Sequence, residues 1–221
     1  MVLNEQIVKM LLLGIRDTLY MTILSTLCGY LIGLPMGVAL NCSSNEGIKP
    51  NRYIYRVLDL ISNLVRSVPF LILLILLIPL TRMIVGKSYG PTAVIVPLTI
   101  CAAPYIARIV ESSLKEVDKG VIEAARSMGA SNLQIIFKVL LPEARPSLIV
   151  GATICTGTIL GYSAMAGTVG GGGLGDIAVR YGYYRWQTGI MIITVALIVV
   201  LFQIFQNTGM KIAQLTDKRK K

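Results

Sequence analysis

The chain has 221 residues, of which 54% are hydrophobic and only 14% are charged, and its mean hydropathy is +0.71. This composition excludes an ordinary soluble domain and indicates a lipid bilayer as the solvent. The net charge of +10 comes from Lys and Arg between charge-free apolar blocks, which is typical of membrane-flanking loops and not of a nucleic-acid-binding face. Histidine is absent and none of the four cysteines belongs to a CxxC pair, so neither a metal site nor a disulfide framework is expected.

Charge-free stretches predict an all-α, polytopic membrane protein with five transmembrane helices. A charge at the bilayer centre costs about 2.5–3.5 kcal/mol, so charged residues delimit the spans. The predicted spans are residues 18–40, 67–85, 89–107, 147–169 and 186–209. The second is short for a crossing and works only if Arg82 reaches the headgroups.

The loops predict the orientation. If the first loop, the third loop and the C-terminal tail are cytoplasmic, that side holds 15 of the 21 Lys and Arg, as the positive-inside rule requires. Residues 1–17 are then an extracytoplasmic N-terminal segment, and residues 210–221 are a basic cytoplasmic tail. The start lacks a basic region and a small-residue cleavage site, so no removable signal peptide is expected.

Residues 51–66 form the first patterned cytoplasmic segment. Apolar residues recur there at helical spacing, and polar residues such as Arg52, Arg56 and Asp59 occupy the other face. This pattern predicts an amphipathic helix that leads into the second span. The simplest interpretation is an interfacial elbow with no specific role.

Residues 111–146 are predicted to fold as two short helices. Asp118 is placed as the N-cap of the first, and Gly129 as its C-terminal stop. Ser131 and Gln134 have the spacing of a capping box for the second, which Pro142 should end. An apolar stripe of the second helix is expected to be buried against the bundle or the membrane, and it comprises Leu133, Ile136, Phe137, Leu140 and Leu141.

The chain has no visible energy source of its own. The central parts of the spans lack the ionisable residues that a proton- or sodium-coupled carrier needs, and no G-x-x-x-x-G-K-[ST] motif is present. Gly170, Gly172 and Gly175 spell G-x-G-x-x-G, but no strand precedes them, so a flexible or close-packed turn is preferred to a nucleotide site. Active transport would therefore draw its energy from a partner at residues 111–146.

Two further sets of residues stand out within the spans. Gly29, Gly33 and Gly37 form overlapping G-x-x-x-G steps that let helices approach closely. Packing within the chain is preferred, with contact between subunits as the alternative.

The fourth span is less lipophilic than the second. It has seven Leu, Ile, Val or Phe residues over 147–169, against eleven over 68–80. A weakly lipophilic helix belongs inside the bundle, so Tyr162, Ser163 and Met165 are predicted to lie near the translocation route. Ordinary core packing remains the alternative for each.

Residues 123–142 resemble a known motif. Glu123, Ala124 and Ala125, followed by Gly129 and then by Leu141-Pro142, resemble the EAA loop of type I ABC importer permeases. The resemblance implies that Glu123, Ala124, Ala125 and Gly129 contact a cytoplasmic ATPase, with Leu141 and Pro142 completing the coupling segment. Small alanines would permit close docking, and glycine a tight turn.

Longer stretches resemble the methionine-importer permeases. They run over 66–70, 78–82, 103–108, 161–165 and 171–175, and Tyr181-Gly182-Tyr183 follows them. The resemblance begins near Gly14 and implies a type I transmembrane domain over residues 14–209.

The resemblance also implies an assembly in the bacterial inner membrane. This assembly has a homodimer of permeases, two ATPase subunits that use ATP and Mg²⁺, and an extracytoplasmic methionine-binding protein. The chain itself would be non-catalytic and bind no cofactor. Import of another amino acid or small solute is the main alternative, and a passive channel or a scaffold is a more distant one.

Overall fold

The computed structural model describes residues 5–217, and every regular element in that range is helical. The α-helices are α1 Glu5–Ser43, α2 Arg52–Ser67, α3 Phe70–Leu76, α4 Ile78–Val85, α5 Pro91–Lys115, α6 Lys119–Ser127, α7 Asn132–Ile135, α8 Leu141–Glu143, α9 Arg145–Ala166, α10 Gly173–Ile177 and α11 Thr188–Thr216. Ile136–Leu140 and Ala178–Tyr183 are π-helical, and Gly167–Val169 is a 3₁₀ turn.

Four helical segments in the described range are long and apolar enough to cross a membrane: α1, α5, α11, and α9 with its 3₁₀ extension. A fifth span exists if α2 and α3, which are bent by 102° at their junction, count as one. The prediction of an all-α membrane protein is confirmed, and the described range contains four or five candidate spans.

The predicted second span is not one continuous helix. Residues 67–85 contain the end of α2, then α3 and α4, with a break at Leu77. Pro79 stands in the first turn of α4 and has no amide N–H to donate to the preceding turn, so the helix is interrupted there.

Helix α1 begins well before the predicted first span. Residues 5–17, expected as a separate segment, continue the same helix, and residues 1–4 lie outside the described range. The charges that marked the predicted boundary, Lys9 and Arg16, lie on exposed faces, whereas Leu11, Gly14 and Thr18 are buried. This part of α1 packs against α10 and the start of α11.

The other predicted spans correspond to α5, α9 and α11, which begin within two residues of the predicted starts. Helix α5 continues to Lys115 and α11 to Thr216, so part of the predicted tail is helical, and residues 218–221 lie outside the described range. Helix α5 runs unbroken through Pro97 and Pro104.

Gly29, Gly33 and Gly37 lie at the α1–α5 contact, and all three are buried. A Cβ atom on Gly33 would stand 2.5 Å from the Ala103 carbonyl oxygen, and one on Gly37 would stand 2.6 Å from the Ala107 oxygen. These glycines therefore serve packing within the chain, and we call this contact the glycine seam.

Glycines also shape the turn after α9. Gly170, Gly172 and Gly173 have φ between 76° and 83°, where a side chain would be strained. The turn joins two helices, and the Leu174 amide donates to Thr18 Oγ1 at 2.9 Å. The G-x-G-x-x-G spacing thus belongs to a close-packed helix connection and not to a strand–turn–helix nucleotide fold.

One end of the bundle is formed by the loop after α1, by the segment that follows α5, and by the end of α11. The loop after α1 borders α6 and the end of α5, and the end of α11 borders the end of α5 and the start of α9. These are the same segments that carry most of the basic residues. At the opposite end, the start of α1 lies beside residues 172–181.

Candidate functional site

Helix α6 has well-defined ends. The Asp118 carboxylate accepts from the Gly120 amide at 2.7 Å, which caps the N-terminus as predicted. Gly129 has φ +83° after the last turn, and the Gly129 and Ala130 amides donate back to the Arg126 and Ala125 carbonyls. This pair of bonds is a Schellman motif, which turns the chain sharply into the next helix.

The second helix of the segment is irregular. The capping box is present: the Gln134 amide donates to Ser131 Oγ, and Ser131 donates its amide to Gln134 Oε1. After the four residues of α7, the helix becomes π-helical over Ile136–Leu140. Pro142 lies in the short α8 that continues this helical stretch, and the stretch ends one residue later, at Glu143, close to the predicted end.

The π-helix changes which side chains are buried. Ile135 and Leu140, five residues apart, are at most 1% exposed, whereas Leu133 and Phe137 of the predicted buried stripe are 67% and 66% exposed. Ile136 and Leu141 are half-buried. Burial of Leu133 and Phe137 against the bundle is therefore wrong, because that prediction assumed regular 3.6-residue periodicity, whereas their burial against the membrane stays a prediction.

The EAA residues divide into exposed and buried positions. Glu123, Ala124 and Gly129 are exposed, but Ala125 is only 5% exposed. Helix α6 packs against α7 and the π-helical segment, which places Ala125 inside the chain's own fold. The expected partner contact therefore remains a prediction for the three exposed residues, whereas Ala125 serves internal packing.

The open side of the segment carries exposed apolar groups. Val121, Met128, Leu133 and Phe137 are between 42% and 82% exposed. We call this surface, together with Ala124, the coupling face; the exposed Glu123 lies on the side of α6 that borders the loop after α1. A cluster of exposed large apolar side chains beside small ones is typical of a surface that a partner covers.

The other side of α6 is tied to the loop after α1. Lys119 Nζ lies 2.6 Å from Glu46 Oε2, and Arg126 Nη2 donates to the Ile48 carbonyl at 3.1 Å. The hydrogen bond from Lys119 lowers the pKa of the Glu46 carboxyl, and the same bond raises the pKa of Lys119. A cleft of about 560 Å³ lies between the loop and α6.

A polar cluster at the end of α5 was missed by the sequence prediction. Glu111 is 3% exposed and its carboxylate binds Arg108 at 2.8 Å and Lys115 at 2.7 Å. Arg108 also binds Asp59 of α2, and the Tyr55 hydroxyl donates to Glu111 at 3.3 Å. Buried charge requires such partners. The spacing of Arg108, Glu111 and Lys115 on one helical face was the signal available in the sequence.

Helix α9 has one uncovered face. Ile154, Gly161 and Met165 of α9 are exposed at helical spacing, and Thr168 of the following 3₁₀ turn continues this stripe. The other faces of α9 contact α1, α5 and α11. Of the predicted pathway residues, only Met165 lies on this stripe, where it is 48% exposed. Ser163 is 1% exposed and its hydroxyl donates to the Leu160 carbonyl at 2.7 Å.

Tyr162 lies between these extremes. It is half-buried and its ring stacks on Phe70 of α3, with centroids 4.7 Å apart and planes 7° from parallel. Tyr162 therefore connects α9 to the broken second segment.

Residues 5–217 contain no cluster of three or more His, Cys, Asp or Glu side chains that could hold a metal ion.

Residues 29–208 match the family described as "Binding-protein-dependent transport system inner membrane component". The probable D-methionine transport system permease protein MetI of Vibrio cholerae is 50% identical over 210 residues, which cover 95% of this chain and 93% of that protein. MetI of Escherichia coli K12 is 50% identical over 165 residues, covering 75% of this chain and 76% of MetI.

Solved structures give the same family and fold. A chain of the MetNI methionine ABC transporter, in an inward-facing conformation, is 46% identical with a TM-score of 0.96, and the match covers 98% of this chain and 100% of that one. An amino acid ABC transporter chain at 23% identity and a TM-score of 0.73 shares the fold, over 99% of this chain and 100% of that one. The chain belongs to the inner-membrane components of binding-protein-dependent transport systems, with all its described helices arranged as in a permease of that family.

Proposed function

We propose that the chain is the permease subunit of an ATP-driven importer and forms the pathway for methionine, as the D or the L enantiomer. The observation that carries the proposal is the 46% identity to a methionine ABC transporter chain over 98% of this chain. The sequence holds no nucleotide-binding motif, so the energy must come from a partner ATPase. The coupling face offers a surface on which that ATPase can dock. ATP and Mg²⁺ would be bound by a separate ATPase, and the permease would be non-catalytic.

The assembly we propose has two copies of the permease, two ATPase subunits and an extracytoplasmic methionine-binding protein. The uncovered face of α9 supports the second permease copy, since a small, partly polar stripe in the membrane needs protein or water beside it. The coupling face and most basic residues lie at one end of the bundle, so that end would be cytoplasmic and the start of α1 extracytoplasmic. ATP binding would move the coupling face and rock the helices between inward- and outward-open states.

Reconstitution tests the function. The permease and its ATPase in liposomes, with the binding protein and labelled methionine outside and ATP inside, are expected to accumulate label against a gradient. Competition with unlabelled D- and L-methionine measures the stereochemical range, and other amino acids test the alternative substrates. Liposomes without the ATPase are the control. Uphill uptake driven by an ion gradient alone, or downhill flux without ATP, would contradict an ATP-driven importer.

The pathway is expected to run along Met165 and not along Ser163. In a variant that lacks the native cysteines, Met165→Cys should react with a water-soluble thiol reagent, and ATP or methionine should change its rate. Ser163→Cys is the matched control, because that position is buried and should stay unreactive. Reactivity of Met165→Cys that neither ATP nor methionine alters would remove α9 from the route.

A further inference from the structure

The amphipathic helix α2 lies across the direction of the helix that follows it. Asn51 caps its N-terminus by accepting from the Tyr53 and Ile54 amides, and α3 leaves its C-terminus at 102°. If α3 and α4 form the predicted second span, a helix at 102° to α3 would lie along the membrane boundary.

One face of α2 packs against α5 and the hydrophobic core of the chain. Ser62 is buried, Tyr55 and Asp59 bind Glu111 and Arg108 of α5, and Val65 packs on the hydrophobic core. The inner face is therefore fixed to the end of α5.

The opposite face has no partner in the chain. Six large apolar side chains on it are between 46% and 83% exposed: Tyr53, Ile54, Val57, Leu60, Ile61 and Leu64. These residues recur at helical spacing and form a continuous apolar surface along α2. Helices that pack closely in membranes use small residues at the contact, and this surface has none.

The charges beside this surface are positive. Arg52 and Arg56 lie on one flank and are exposed, and neither takes part in an ion pair among residues 5–217. Asp59, the only acidic residue of α2, is already bound by Arg108. An apolar face with unpaired arginines at its edge complements acyl chains beside anionic headgroups.

We propose that the outer face of α2 binds anionic phospholipid. The apolar side chains enter the acyl-chain boundary, and Arg52 and Arg56 contact headgroup phosphates. Through Asp59 and Tyr55, the bound lipid then holds the end of α5 from which the coupling segment begins.

Lipid quenching of a single tryptophan tests this assignment. Trp186 is the only tryptophan, so Leu60→Trp with Trp186→Phe places one fluorophore on the outer face of α2 in the full chain. The protein is reconstituted in mixed vesicles of phosphatidylglycerol and phosphatidylcholine, with bromine on the acyl chains of one lipid or the other. Brominated phosphatidylglycerol is expected to quench more strongly at equal mole fraction.

The arginines should account for the selectivity. Arg52→Gln with Arg56→Gln is expected to abolish the preference, with each arginine contributing about fivefold to local enrichment of the anionic lipid. Arg82→Gln with Lys87→Gln removes the same charge at the far end of α4 and should leave the preference intact. Equal quenching by both lipids, no quenching by either, or a disulfide between two copies of Leu60→Cys would each overturn the proposal.

Discussion

Replacing Ala124 by tryptophan is expected to leave the permease folded and to abolish ATP-driven uptake. Ala124 is exposed on the coupling face, so the added indole extends from the surface of the fold to where an ATPase would dock. A lost contact at an interface centre costs about 2 kcal/mol or more, roughly thirtyfold in affinity. Co-purification of the ATPase, its hydrolysis rate and methionine uptake measure the effect.

The adjacent alanine supplies the control. Ala125→Trp places the same side chain inside the fold, where the residue is 5% exposed, so it should lower the thermal denaturation midpoint of the permease alone. Ala124→Trp should leave that midpoint unchanged. Normal assembly and uptake by the Ala124 variant would show that the ATPase docks elsewhere.

Replacing Gly33 by leucine is expected to destabilise the permease more than any surface change of similar size. A Cβ atom there would lie 2.5 Å from the Ala103 carbonyl oxygen and 2.8 Å from Ile106 Cβ. The nearest atom is backbone and cannot rotate away, so α1 and α5 must separate, at a cost of about 3 kcal/mol, the upper end for overpacked cores. The denaturation midpoint and the yield of monodisperse protein measure the loss.

Gly161→Leu is the matched control for the glycine seam. Gly161 is also within a helix, but a Cβ atom there would meet nothing within 4 Å. Its variant should therefore lower the midpoint much less than the Gly33 variant does, whatever its effect on transport or on contact with a second permease copy. Equal midpoints for the Gly33 and Gly161 variants would mean that α1 does not depend on close approach to α5.

Local signals predicted local structure well. Asp118, Ser131 and Gly129 mark helix ends through their own backbone and side-chain chemistry, and the structure shows their bonds as expected. The glycine repeat also predicted its own role. Three glycines spaced four residues apart lie on one helix face, and that face then packs closely against a neighbouring helix.

Features that depend on tertiary contacts were not predictable in this way. The π-helix over Ile136–Leu140, which separates the buried Ile135 and Leu140 by five residues, breaks the 3.6-residue pattern on which the prediction rested. The burial of Ala125 and the pairing of Arg108 with Asp59 join residues that the sequence keeps apart. The start of α1 at Glu5 was not predicted, because charged residues occur both on exposed helix faces and in loops, so their positions alone do not distinguish the two.

The attachment of α6 at two places determines how a displacement enters the membrane part. The chain joins α6 to α5 through residues 116–118, and Lys119 and Arg126 also bind the loop that follows α1. Helices α1 and α5 are themselves held in close contact by Gly29, Gly33 and Gly37. A displacement of α6 therefore cannot be accommodated by bending residues 116–118 alone. Helices α1 and α5 should therefore tilt together as one rigid body, and the start of α1 at the opposite end of the bundle should move with them.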